Sequence, residues 1–143
     1  MKTAFPQIFD SAEAMQNFAA AFASQLPDDA ILALHGTLGT GKTTFTAGLA
    51  RGLKISEPVT SPSFNIYTIY ESGSRQLVHM DAYRLAGTRA LDGLMLEEFM
   101  HSPFIWVIEW PEKIADALPP NALHLYFSIL ENGAHCIDVK AHG

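Results

Sequence analysis

The segment Gly36-Thr37-Leu38-Gly39-Thr40-Gly41-Lys42-Thr43 satisfies G-x-x-x-x-G-K-[ST] at every position, a pattern whose chemistry is phosphate binding. Its glycines let the backbone curl until successive N–H groups converge on one concavity, and the positive end of the following helix reinforces it. Lys42 can then reach the β- and γ-phosphates of a nucleoside triphosphate. The Thr43 hydroxyl suits Mg2+, a hard cation that takes few protein ligands and keeps several waters. The cofactor implied is Mg2+ with ATP or GTP. Hydrolysis also needs an acidic group that holds the metal's water shell or orients an attacking water. Asp81 closes the run Leu77-Val78-His79-Met80, and Glu109 closes Phe104-Ile105-Trp106-Val107-Ile108. Both stand at strand ends, the edge where ligands sit in open α/β sheets. Hydroxyls in Thr60-Ser61-Pro62-Ser63 could sense a γ-phosphate, as loops ordered by that group do.

The elements that must position these residues follow from periodicity and punctuation. Asp10-Ser11-Ala12-Glu13 reads as a helix start with a capping-box arrangement, and Met15, Phe18, Ala19, Phe22 and Leu26 share one face until Pro27-Asp28-Asp29. Ala30-Ile31-Leu32-Ala33-Leu34 has the length and character of a buried strand, and Phe45, Leu49 and Leu53 recur at helical spacing after the phosphate loop. Phe64 to Tyr70 and Gln76 to Met80 flank Ser72-Gly73-Ser74 as a hairpin. A looser stretch, 86–100, carries a helix around Leu94 to Phe99, then Phe104 to Ile108 forms a buried strand. Pro111 starts a short helix that Pro119-Pro120 stops. Ala122 to Ile129 and His135 to Val139 pair around Glu131-Asn132-Gly133. The expected fold is α/β, a mixed sheet flanked by helices, with residues 1–143 forming one P-loop domain.

With 143 residues, 48% hydrophobic and 17% charged, the chain has the composition of a soluble globular protein. No apolar stretch approaches the roughly 18 residues that span a membrane. Met1-Lys2-Thr3 leads into Phe5-Pro6-Gln7 without an apolar signal region, and the lone Cys136 excludes an internal disulfide. A cytoplasmic protein is expected. The net charge of −6 provides no overall positive field for nucleic acid, so an RNA role would need a local patch or a partner. Arg75 and Arg89 read as solvated charges. Arg84 stands between that and a site role, and Tyr83 between packing and reaching a partner or the γ-phosphate. His79 reads as a satisfied core or edge histidine and Trp110 as packing. His35, His101, His124, His135 and Cys136 form no constellation and are assigned no chemistry.

Four segments taken together, the phosphate loop, Ser61-Pro62-Ser63-Phe64, His79-Met80-Asp81-Ala82-Tyr83-Arg84 and Ile108-Glu109-Trp110-Pro111, resemble the bacterial TsaE (YjeE) family of tRNA threonylcarbamoyladenosine biosynthesis proteins, small P-loop ATPases. The likeness covers nearly the whole chain, and the order and spacing of the segments are far more specific than the loop alone. The departures are mild: the family commonly has Ala at the position of Thr40, Thr at Ser63 and Leu at Ala82. The resemblance implies that Gly39, Thr40, Gly41, Lys42, Thr43 and Thr44 wrap the phosphates of ATP, with Thr43 and Glu109 at Mg2+ and Asp81 catalytic or next to the metal's shell. It also implies adenine near the start of the first helix, at Ser11. The family's weak ATPase serves two partner proteins, TsaB and TsaD, which install threonylcarbamoyl on the adenosine next to the anticodon. The tRNA would then be met only through that complex.

Two other classes use the same loop. A small-molecule kinase usually closes a lid with several arginines over the transferred group, and only Arg84 and Arg89 lie in the plausible lid stretch. A nucleotide-gated binding module would hydrolyse only incidentally. A GTPase is disfavoured because no Asn-Lys-x-Asp segment occurs.

Overall fold

β2 (Ala30–His35) is the hub of the architecture, because its alternating residues are apolar on both sides and a strand of that kind must be covered twice. In the computed structural model, which describes residues 3–62 and 65–139, β2 pairs in parallel with β5 (Phe104–Glu109) on one side and β6 (Leu123–Ile129) on the other. β4 (Gln76–Asp81) continues the parallel core beyond β5. β3 (Tyr67–Tyr70) runs antiparallel to β4 as a hairpin, and β7 (His135–Asp138) runs antiparallel to β6. A short strand that periodicity does not reveal, β1 (Gln7–Phe9), closes the far edge against β7. The seven-stranded order is β1-β7-β6-β2-β5-β4-β3. Met1, Lys2, Ser63 and Phe64, named above for the chain start and for the hydroxyl segment and hairpin, lie outside the described residues.

Helices cover both faces. α1 (Ala12–Ala23) and α2 (Lys42–Gly52) bury Met15, Phe22, Phe45 and Leu49 against Leu32, Leu34, Leu77, Ile105 and Val107. The opposite face, carrying Val78, Met80, Trp106 and Ile108, is covered by Leu85 of the turn after β4, by Leu96 of α4 (Leu96–Phe99) and Ile114 of a 3-10 helix (Pro111–Ala117), with Ala90 and Leu91 of α3 (Thr88–Asp92) packed partly buried against them. α1 starts one residue later than the capping-box reading. Ser11 is the N-cap and its hydroxyl accepts from the Ala14 N–H at 3.0 Å, so Glu13 falls outside the reciprocal position. Arg75, expected as a solvated charge, donates to the carbonyls of Leu26 at 3.0 Å, Pro27 at 2.5 Å and Phe104 at 2.9 Å. It ties the turn after α1 to the start of β5.

α2 approaches α1 closely at Gly48 and Gly52. A Cβ on Gly52 would lie 2.4 Å from the Ala20 carbonyl oxygen and 2.8 Å from the Ala20 Cα, both backbone atoms. Gly52→Ala should gain up to ~1 kcal/mol of helix propensity, yet forcing the helices apart costs ~1–3 kcal/mol and repacks the whole α1–α2 seam. The clash is expected to win: urea titration should show a net loss of ~1–2 kcal/mol.

Candidate functional site

The phosphate loop hangs between the C-terminal end of β2 and the first residue of α2, and its shape is enforced from outside. Gly36 has φ +148°, and a Cβ there would lie 2.8 Å from the Phe127 carbonyl oxygen and 2.8 Å from the Thr40 hydroxyl. Gly41, the N-cap of α2, has φ +111° and would meet the Met15 methyl at 2.8 Å. Within the loop the Thr40 hydroxyl donates to the Thr37 carbonyl at 2.7 Å. Lys42 is 5% exposed. Its ammonium donates to the Gly36 carbonyl at 2.6 Å and lies 4.5 Å from the centroid of the Trp110 ring. An ammonium has three donors, so one carbonyl and a ring face leave it capacity for an anion. Leu38, Gly39, Gly41, Lys42, Thr43, Thr44, Glu109 and His135 line a concavity of roughly 190 Å3 over the loop. Its donor set, a hydroxyl and a carboxylate beside an ammonium and a helix N-terminus, fits a divalent cation together with phosphates.

Strand register explains how the carboxylates arrive there. Asp81 and Glu109 are paired neighbours at the ends of β4 and β5. Alternation puts His79 on the same face as Asp81, the face toward α1 and α2. His79 is fully buried, and its Nε2–H donates to Glu109 Oε2 at 2.6 Å. Glu109 is 6% exposed. The ring's other nitrogen, Nδ1, is buried and meets no partner among the described residues. Asp81 is turned by a local bond, the Tyr83 N–H donating to its Oδ1 at 2.9 Å. It is half-buried and is not among the residues that line the concavity.

The remaining named residues separate into two groups. Ser11 and Thr44 share a smaller, adjoining hollow of about 50 Å3 with Ala12, Met15, Gly41 and His135. Thr60 and Ser61 are exposed and line neither hollow. Tyr83 is 57% exposed. Its ring tilts against Trp110 at 5.1 Å, and Lys113 approaches its other side at 5.4 Å. Trp110 is therefore packing of a particular kind, against the ammonium of the phosphate loop. His79 is the core histidine expected, but the sequence reading did not foresee its contact with Glu109, nor the place of His135 on the concavity. Alternation with Asp81 was a signal for the first, whereas nothing in the sequence pairs β7 with the loop.

One further pair flanks the site. His35 precedes Gly36, stacks on Tyr126 at 4.4 Å and shares a 2.8 Å hydrogen bond with His124. Burial lowers its pKa below the ordinary 6.5. The charges of His124 and Lys42 add to that, and Glu112 opposes it. A group whose pKa is depressed in the folded state contributes its full stability above the unfolded value and loses it as the unfolded chain takes up the proton first, so stability should fall as pH drops through 6.5 toward the lowered value. Chemical denaturation of the wild type between about pH 7.5 and pH 5.5 should show that loss, and His35→Phe, which keeps the stack, should show a shallower slope.

A glycine-rich turn between a central parallel strand and a helix that opens with lysine, with carboxylates at the ends of neighbouring strands, defines a P-loop NTPase domain. The family model described as "Threonylcarbamoyl adenosine biosynthesis protein TsaE" matches residues 9–136. A relative from Treponema pallidum, described as "tRNA threonylcarbamoyladenosine biosynthesis protein TsaE", is 37% identical over 114 residues, 80% of this chain and 84% of its own. Relatives of the same description from Bacillus subtilis (40% identical, 81% of this chain and 70% of its own) and Borreliella burgdorferi (36% identical, 87% and 92%) agree. The crystal structure of Bacillus subtilis YdiB superposes with a TM-score of 0.77 at 30% identity, covering 98% of this chain and 88% of that one. The chain belongs to the TsaE family of tRNA threonylcarbamoyladenosine biosynthesis proteins. Among the described residues no helix is long and apolar enough to cross a membrane.

Proposed function

We propose that this chain binds and slowly hydrolyses Mg-ATP as the energy-using accessory of TsaB and TsaD, which together install threonylcarbamoyl on the adenosine next to the anticodon. The observation that carries the reading is the meeting of Lys42, Thr43 and Glu109 on one concavity at the carboxyl edge of the parallel strands. Backbone N–H groups of Gly39, Thr40, Gly41, Lys42, Thr43 and Thr44 hold the phosphates, and Lys42 adds the charge. Thr43 and Glu109 would hold the Mg2+, which when bound would supply positive charge beside the phosphates. Asp81, held by the Tyr83 N–H, orients the attacking water. Ser11, beside Thr44 in the adjoining hollow, takes the adenine end. The net charge of −6 supports a division of labour in which the partners hold the tRNA, and a tRNA substrate goes with a cytoplasmic setting.

The test is threonylcarbamoyl transfer to tRNA by TsaB and TsaD over many turnovers with ATP, comparing no addition, this protein and its Lys42→Ala variant. Sustained turnover with the wild type alone is the expected result. If wild type adds nothing beyond Lys42→Ala, the reading fails, and phosphoryl transfer to small hydroxyl acceptors becomes the reading to pursue.

A further inference from the structure

His135 is anchored by strand pairing on both sides, to Phe9 of β1 and Ile129 of β6. With Gly41 and Thr44 it lines both the hollow over the phosphate loop and the smaller hollow beside Ser11. Its Nδ1 lies 2.9 Å from the Thr40 carbonyl oxygen. A carbonyl only accepts, so Nδ1 carries the proton and donates. The Thr40–Gly41 peptide is planar and trans, so a carbonyl turned to β7 turns the Gly41 N–H the opposite way.

That orientation needs a restraint. Gly41 sits at φ +111° and glycine tolerates either sign of φ, so rotation of this one peptide unit meets little local resistance. The neighbouring contacts do not hold it. The Thr40 hydroxyl is bonded to Thr37, and the Phe45 N–H reaches the Gly41 carbonyl at 2.8 Å, which belongs to the next peptide.

We propose that His135 is a positioning residue for anion binding: by donating its Nδ1–H to the Thr40 carbonyl it keeps the Gly41 N–H turned into the phosphate concavity. This rests on the nucleotide-binding reading above and deepens it. The ligand class it serves is the polyphosphate itself, not the base. Its effect therefore extends equally to ATP, ADP and inorganic tripolyphosphate.

The test is calorimetric titration of the full chain with ADP and with inorganic tripolyphosphate, for wild type, His135→Phe, His135→Asn and Lys42→Ala, alongside the thermal midpoint without ligand. Phe keeps the ring and loses the donor. The Asn amide nitrogen stands at the position of Nδ1 and keeps it. Loss of one hydrogen-bonded restraint should weaken both ligands about tenfold in His135→Phe, with the unliganded midpoint unchanged and His135→Asn within about twofold of wild type. Wild-type affinity in His135→Phe, a loss confined to ADP, or weak binding by a fully stable His135→Asn would each overturn the proposal. Should His135→Phe fold poorly, His135→Asn against His135→Ala, read by the same two ligands, decides between the same outcomes. Wild-type affinity in Lys42→Ala would instead overturn the nucleotide-binding reading on which it rests.

Discussion

Replacing Lys42 with alanine is expected to cut ATP hydrolysis by about a thousandfold and to weaken ATP binding by about a hundredfold, with little loss of stability. The size of the effect follows from burial. The side chain is 5% exposed, between a carbonyl and an indole face, and a charge in a partly desolvated site acts on a phosphate far more strongly than in water. The same burial explains the small effect on folding. A desolvated ammonium contributes little net stability, so removing it relieves a cost as well as a hydrogen bond. Phosphate release under saturating ATP, titration calorimetry and a denaturant melt separate the three quantities. Binding within about threefold of wild type would sink the assignment of the loop.

The second large effect distinguishes charge from hydrogen bonding at Glu109. Glu109→Gln keeps an oxygen to accept from His79 and loses the charge, so hydrolysis should fall ~100–1,000-fold while the melt stays close to wild type. Glu109→Ala should lose hydrolysis to the same extent and in addition destabilise by ~1–3 kcal/mol, because it strands the buried Nε2 of a ring whose Nδ1 already meets no partner among the described residues. His79→Leu should leave nucleotide affinity without metal intact but raise the Mg2+ concentration for half-maximal hydrolysis ~10–100-fold, since it frees the carboxylate that a second residue orients. Equal melts for the Gln and Ala variants would show that the 2.6 Å contact carries no structural weight.

Much of this site was readable before any coordinates. The phosphate loop needs its glycines and lysine at fixed offsets because backbone N–H groups within eight consecutive residues make the contact, so local chemistry writes itself into local sequence. Asp81 and Glu109 were also legible, as polar residues that end apolar runs near the loop. Their placement on neighbouring strands, with His79 beneath, was not. Alternation within β4 gave the common face of His79 and Asp81, but the β4–β5 register and the distance to Glu109 arise from pairing between segments 28 residues apart in register. The capping-box reading of α1 failed for a related reason. Asp10 and Ser11 are both good caps, and the geometry of the chain leaving β1, an edge strand with only three residues, selected Ser11. Arg75 looked like a surface charge because its three acceptors are backbone carbonyls, which have no identity in a sequence.

By itself, the sequence determined the class of chemistry, the α/β alternation of elements, the family resemblance and the phosphate-loop motif, since each depends on neighbours within one turn or strand. Only the tertiary structure decided that the Trp110 ring covers Lys42, that His79 grips Glu109, and that β7 brings His135 onto the Thr40 carbonyl. Those contacts join residues up to 95 positions apart, and burial in a common core, which acts on surface area and not on sequence order, is what brings them together.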